Sequence, residues 1–141
     1  MTDIGSTTSV TIEATLGDVW DAITTPERIE EWFLGVRTQG EWVPGGELVQ
    51  TGERQGRPYE SKAIIDRIEP PELLELRHWS PMSGRPDVPE SYEPVVYLLT
   101  ERDGKTELTV TESNLPSEQA REMSVRIWAM VLDRLKELLE A

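Results

Sequence analysis

The sequence predicts an α+β fold in which one curved antiparallel β-sheet wraps around a long C-terminal helix. Three observations carry that expectation. The middle of the chain is a series of alternating apolar and polar segments broken by Gly and Pro turns. Its C-terminal end is one continuous helical stripe. Its 141 residues suit a single domain, residues 1–141, with no linker or repeat. Consecutive strands joined by tight turns pair antiparallel, and a helix collected at one end of the chain packs on one face of the sheet.

Residues 8–15 (TSVTIEAT) place Val10, Ile12 and Ala14 on one side of a half-buried strand. Asp18 then opens a short helix (DVWDAIT) that Thr25-Pro26 interrupts. Thr25 is placed to cap a second short helix, PERIEEWF, with Pro26 at its first position and an end before Gly35. EWVPGGE has the look of a hairpin and leads into GELVQTG. Residues 60–69 (ESKAIIDRIE) form a strand that stops at Pro70-Pro71. Residues 73–79 (LLELRHW) put Leu74, Leu76 and His78 on one face. SPMSGRPDVPE, at 80–90, is a loop long enough to act as a lid or a dimer contact. Residues 92–101 and 105–112 flank an Arg102-Asp103-Gly104 turn and make the clearest hairpin in the chain. From Ser117, a capping residue, a helix of about 24 residues repeats Ala120, Ser124, Ile127, Trp128, Val131, Leu135, Leu138 and Leu139 at three- and four-residue steps. At 1.5 Å per residue it spans about 36 Å, the width of a whole sheet.

Composition removes several function classes. There is no cysteine, so no disulfide, thiolate metal site or cysteine nucleophile exists, and His78 is the one histidine. Asp and Glu number 27 against 14 Lys and Arg, a net charge of −13 that repels nucleic acid and anionic lipid surfaces. No apolar run reaches the roughly 20 residues of a membrane span, and MTDIGSTTSV is unlike a signal peptide. The expectation is a cytoplasmic protein with no cofactor and no metal, with a small molecule or a protein as partner, and monomeric or weakly homodimeric.

The segments VWDAITTPERIEEWF (19–33), GGE (45–47), IEPPELLELRHW (68–79), DGKTELTVTESN (103–114) and WAMVLDRLKELL (128–139) together resemble the SRPBCC superfamily. This is the START-like, Bet v 1-like, helix-grip group. The branch is the one similar to the C-terminal domain of the activator of the heat-shock-protein-90 ATPase. The resemblance implies a deep cavity between sheet and long helix, roofed by the short helices. Members bind lipids, sterols, polyketides or aromatic natural products, and some catalyse cyclisation or dehydration. The eukaryotic activator uses a separate N-terminal domain to engage the chaperone. This sequence begins at the first strand of the grip domain, which gives a co-chaperone, stress-response role little support.

Five tryptophans accompany a single phenylalanine. Trp32, Phe33, Trp42 and Trp128 are candidates for an aromatic pocket wall, with core filling the plain alternative. Trp20 and Trp79 read as core. His78 is a polar handle or a general base, and Tyr92, Tyr97 and Glu112 are its candidate partners. Leu48, Ile65, Leu76, Val110 and Val131 complete the expected ligand-binding wall, and no residue is assigned a catalytic role outright. Glu112 continues the inward register of Leu108 and Val110. The expectation, by a narrow margin, is that the strand ends at Thr111 and leaves it solvated beside Asn114. Arg67 is expected to be turned outward by a bulge, with Ile68 in its place. Val96 and Leu98 face away from Val95, Tyr97 and Leu99, which a dimer contact would explain. GGE lacks the following helix and Lys of a phosphate loop and is a turn.

Three functions remain. One is binding of a small hydrophobic ligand, lipid-like or aromatic. The second is a polyketide cyclase/dehydratase-like or hydrolytic reaction using His78. The third is a chaperone-associated interaction module.

Overall fold

The computed structural model describes residues 4–141, so the first three residues of the expected domain, and of the N-terminal stretch read for a signal peptide, lie outside it. Strand β1 (Ser6–Ile12) is followed by helices α1 (Leu16–Thr24) and α2 (Pro26–Trp32). Six strands come next: β2 (Arg37–Gly40), β3 (Glu47–Arg54), β4 (Arg57–Glu69), β5 (Leu73–Trp79), β6 (Glu93–Arg102) and β7 (Lys105–Glu112). Helix α3 (Glu118–Glu140) closes the chain. The sheet has the order β1-β7-β6-β5-β4-β3-β2, and every neighbouring pair is antiparallel. This is the helix-grip α+β architecture.

Local chemistry moves some boundaries. The Thr15 hydroxyl accepts from the Asp18 amide at 3.1 Å, so Thr15 caps α1 and does not extend β1, and the helix begins at Leu16 instead of Asp18. Thr25 sits at the N-cap position of α2 but gives no side-chain cap. Its hydroxyl donates to Asp21 Oδ1 at 2.9 Å, and Pro26 at the first turn starts the helix. The glycine pair at 45–46 serves the β2–β3 turn. Gly45 has φ +82°, and a Cβ on Gly46 would stand 2.1 Å from the Glu41 carbonyl oxygen. In β4 the register shifts between Ile65 and Arg67. That bulge leaves Arg67 exposed beside Glu69 and Glu75 and returns Ile68 to the packed side.

Helix α3 starts at Ser117, whose hydroxyl accepts from the Ala120 amide at 3.1 Å. Its C-terminal half lies flat on the sheet: Val131, Leu132 and Leu135 are each 1% exposed and share one core with Ile12, Val19 and Leu108. Lys136 ties that half to β1, donating to the Thr11 carbonyl at 2.9 Å and to Glu140 Oε2 at 2.7 Å. The same Glu140 oxygen accepts from the Glu13 amide at 2.8 Å. On the outer face of β6, Leu98 is exposed and Val96 half-buried. Among the described residues no helix is long and apolar enough to cross a membrane.

Leu135→Ala tests the closed half of this core. Removing a fully buried leucine there is expected to cost about 2–5 kcal/mol in chemical denaturation, because a packed helix cannot collapse into the gap.

Candidate functional site

The sequence register that packs the C-terminal half of α3 does not close the N-terminal half. Between that half, helix α2 and the inner faces of β3–β7 lies a cavity of about 420 Å³. Its exposed rim carries Leu34, Met82 and Met123. A volume in this range holds a small organic molecule.

An aromatic ladder forms one wall. Trp32 and Phe33 meet edge-to-face with centroids 5.4 Å apart, Phe33 and Trp128 likewise at 5.4 Å, and Trp128 and Tyr97 at 5.8 Å. Trp32 is fixed by its indole N–H, which donates to the Ala22 carbonyl at 2.9 Å and joins α2 to α1. Trp42, from the β2–β3 loop, also lines the cavity, and its Nε1 is buried with no hydrogen-bond partner. Leu48, Ala63, Leu74 and Leu76 supply aliphatic wall from three neighbouring strands.

The polar end follows from strand register. His78 pairs with Glu93 across β5 and β6, and one step along the sheet Leu76, Val95 and Glu112 form the next row. All three polar side chains line the cavity. Glu112 lies within β7 and is 8% exposed, which overturns the expectation of a solvated residue beyond the strand end. Its Oε1 accepts from the hydroxyls of Ser124 on α3 at 2.6 Å and Ser6 on β1 at 3.2 Å, so the carboxylate joins helix and sheet. Burial pushes the Glu93 carboxyl up to about 7. The neighbouring Glu112 charge adds to the shift, and Arg85 opposes it. Burial also lowers His78 to about 4, leaving a neutral imidazole at pH 7. The Tyr97 phenol is held above its ordinary value, by burial first and Glu112 second. Neither the His78 ring nor the Tyr97 hydroxyl has a hydrogen-bond partner among the described residues.

The 80–91 loop completes the rim through Ser80 and Met82. It is clamped at several points. Asp87 accepts from Lys62 Nζ at 2.6 Å and from the Tyr92 hydroxyl at 2.7 Å. Arg85 donates to the Asn114 carbonyl at 2.9 Å, and the Trp79 indole donates to the Arg85 carbonyl at 3.2 Å. Trp79 thereby holds a loop and does not enter the cavity.

Residues 13–140 match the model of the family described as Activator of Hsp90 ATPase homolog 1-like protein. The chain belongs to this family. Among solved structures, ChR145 from Cytophaga hutchinsonii is 32% identical with a TM-score of 0.82, over 97% of this chain and 94% of that one. CalU16 from Micromonospora echinospora is 27% identical with a TM-score of 0.75, over 96% and 75% of the two chains. The Aha1 dimer from Colwellia psychrerythraea, 18% identical with a TM-score of 0.77 over 97% and 96%, shares the fold. No curated protein matches the chain.

Of the expected wall residues in this family member, Trp32, Phe33, Trp42, Leu48, Leu76, His78, Tyr97 and Trp128 line the cavity. Ile65, Val110 and Val131 do not. They are 0–1% exposed and sit in the closed core: Val131 lies one helical turn beyond Trp128, and Ile65 lies beside the Gly45-Gly46 turn that pairs with its backbone. Glu93, Ser124 and Ser61 are lining residues that the sequence reading passed over. Glu93 was reachable, since it extends the inward set Leu99, Tyr97, Val95 by one more step.

His78 and Glu93 make opposite contributions to stability against pH. The unfolded chain protonates His78 near 6.5 and the folded chain near 4, so acid destabilises the fold through this group. The folded chain holds the Glu93 proton up to about 7 and the unfolded chain only to about 4.5, so this contribution is lost as pH rises through that window. His78→Gln is therefore expected to gain stability relative to wild type as pH falls from about 6.5 to 4, and Glu93→Gln as pH rises from about 4.5 to 7. Urea denaturation at several pH values reads both, and parallel curves for wild type and variants would contradict the burial assigned here.

Proposed function

We propose that this protein binds one small hydrophobic molecule, aromatic or lipid-like, between the sheet and the N-terminal half of α3, without transforming it. The observation that carries this reading is the cavity of about 420 Å³ walled by the Trp32–Phe33–Trp128–Tyr97 ladder. Rings that meet edge-to-face and border a void offer flat apolar area and ring packing to a guest, which a filled core does not. The His78 ring and the Tyr97 hydroxyl add unpartnered polar groups to the wall that orient it.

An acid–base role for His78 has less support. A general base is held in one tautomer by a hydrogen bond to its second ring nitrogen, and His78 has no such bond to Tyr97 or Glu112. The imidazole is instead a contact for the ligand.

Native mass spectrometry of protein purified from its own cells, followed by denaturing extraction, tests the proposal. A stoichiometric hydrophobic adduct is expected. Trp128→Ala should then weaken its rebinding by about tenfold to a hundredfold, through lost ring contact, and His78→Ala by a few-fold. Tryptophan fluorescence titration measures both. Recovery of a chemically altered ligand after incubation with wild type, abolished in His78→Ala, would establish catalysis instead. An empty protein that also ignores a panel of lipids and polycyclic aromatics would remove the binding reading.

A further inference from the structure

Resting on that binding reading, we infer that the ligand carries a protonated amine, seated between the Glu93 and Glu112 carboxylates at the polar end of the cavity. Among the described residues the cavity wall includes Glu93, Glu112 and, nearer the β3–β4 hairpin, Glu53, but no lysine and no arginine. Glu112 is held in place by two hydroxyl donors that both engage Oε1. Once Glu93 ionises, above about pH 7, it and Glu112 repel one another at the same end of the cavity, with no cation among the described lining residues. The remaining groups packed around Glu93 do not neutralise the pair. His78 on β5 is a neutral ring, Ser124 and Met123 on α3 are uncharged, and Tyr97 on β6 is an uncharged phenol. Arg85, in the 80–91 loop, acts on Glu93 only from outside the lining and donates to the Asn114 carbonyl.

Two independent features point the same way. His78 and Tyr97, which line the cavity and have no hydrogen-bond partner among the described residues, each carry an acceptor that an ammonium can use. The aromatic ladder beside it offers ring faces to a cation and apolar area to the rest of the molecule. A fatty acid or other anion would meet two carboxylates on entry, and a neutral alcohol would leave their repulsion in place. The predicted order is therefore cation over neutral over anion, and the net charge of −13 draws cations toward the mouth.

Isothermal titration calorimetry with 1-naphthylmethylamine, 1-naphthalenemethanol and 1-naphthoic acid separates these cases, because the three share a ring and differ in head-group charge. At about pH 8 the amine is expected to bind at least about tenfold more tightly than the alcohol, with the acid weakest. Amine affinity should rise as Glu93 ionises through about pH 7 and then level off. The alcohol should show no such rise. Glu93→Gln and Glu112→Gln are each expected to lower amine affinity about tenfold while leaving the alcohol within about twofold. Circular dichroism confirms that each variant is folded. Alcohol or acid binding as tightly as the amine would overturn the inference while leaving the hydrophobic-ligand reading intact. Failure of all three to bind would overturn both.

Discussion

The contact on which the cavity depends is the one Trp128 makes from the middle of α3. It touches Phe33, at the end of α2, and Tyr97, on the sheet, with centroids 5.4 and 5.8 Å away. Beyond Trp128 the helix carries Val131, Leu132 and Leu135, side chains small enough to let it settle onto β1 and β7, and the core there is closed. Before it the same helical face carries Ser124 and Ile127, and the space opens. One helix therefore has a packed half that stabilises and an unpacked half that faces a void. The change occurs within a single turn.

That division separates stability from recognition. The closed half supplies the buried aliphatic area that holds the sheet to the helix, with Lys136 and Glu140 stitching its end to β1. The open half is held at a fixed height by directional contacts instead. Ser124 bonds to Glu112, the aromatic ladder spans from α2 to the sheet, and Asp87 clamps the rim loop to Lys62 and Tyr92. Glu112 bridges both roles, since it joins α3 to β1 through two serines while presenting its charge to the cavity.

Polar residues gather at one end of the cavity because of where the strands run out. His78 is near the end of β5, Glu93 begins β6 and Glu112 ends β7, so antiparallel pairing brings the three ends to one edge of the inner face. The apolar residues lie farther along the same strands, toward the closed core. The gradient from carboxylate to aromatic wall is thus a consequence of register. It suits a guest with a charged head and an apolar body.

Much of this was legible from the sequence because alternation and helical periodicity are local properties. The strand faces of Leu74, Leu76 and His78, the inward set of Val95 and Tyr97, and the cap at Ser117 all follow from neighbours within a few residues. The bulge that turns Arg67 outward followed from where the apolar pattern slips before a proline pair. Depth was not legible. Ile65, Val110 and Val131 share faces with true lining residues, and only the height of α3 above the sheet decides that Trp128 borders a void while Val131, one turn on, does not. Glu112 has a polar side chain at a strand end, which by itself suits solvent. Its burial depends on Ser6 and Ser124, about a hundred residues before it and a dozen after, meeting at one oxygen. The sequence by itself determined which residues face inward, since backbone geometry sets side-chain direction. The tertiary structure alone decided which of those faces meet and which enclose space, since that distance is set by side chains remote in the chain.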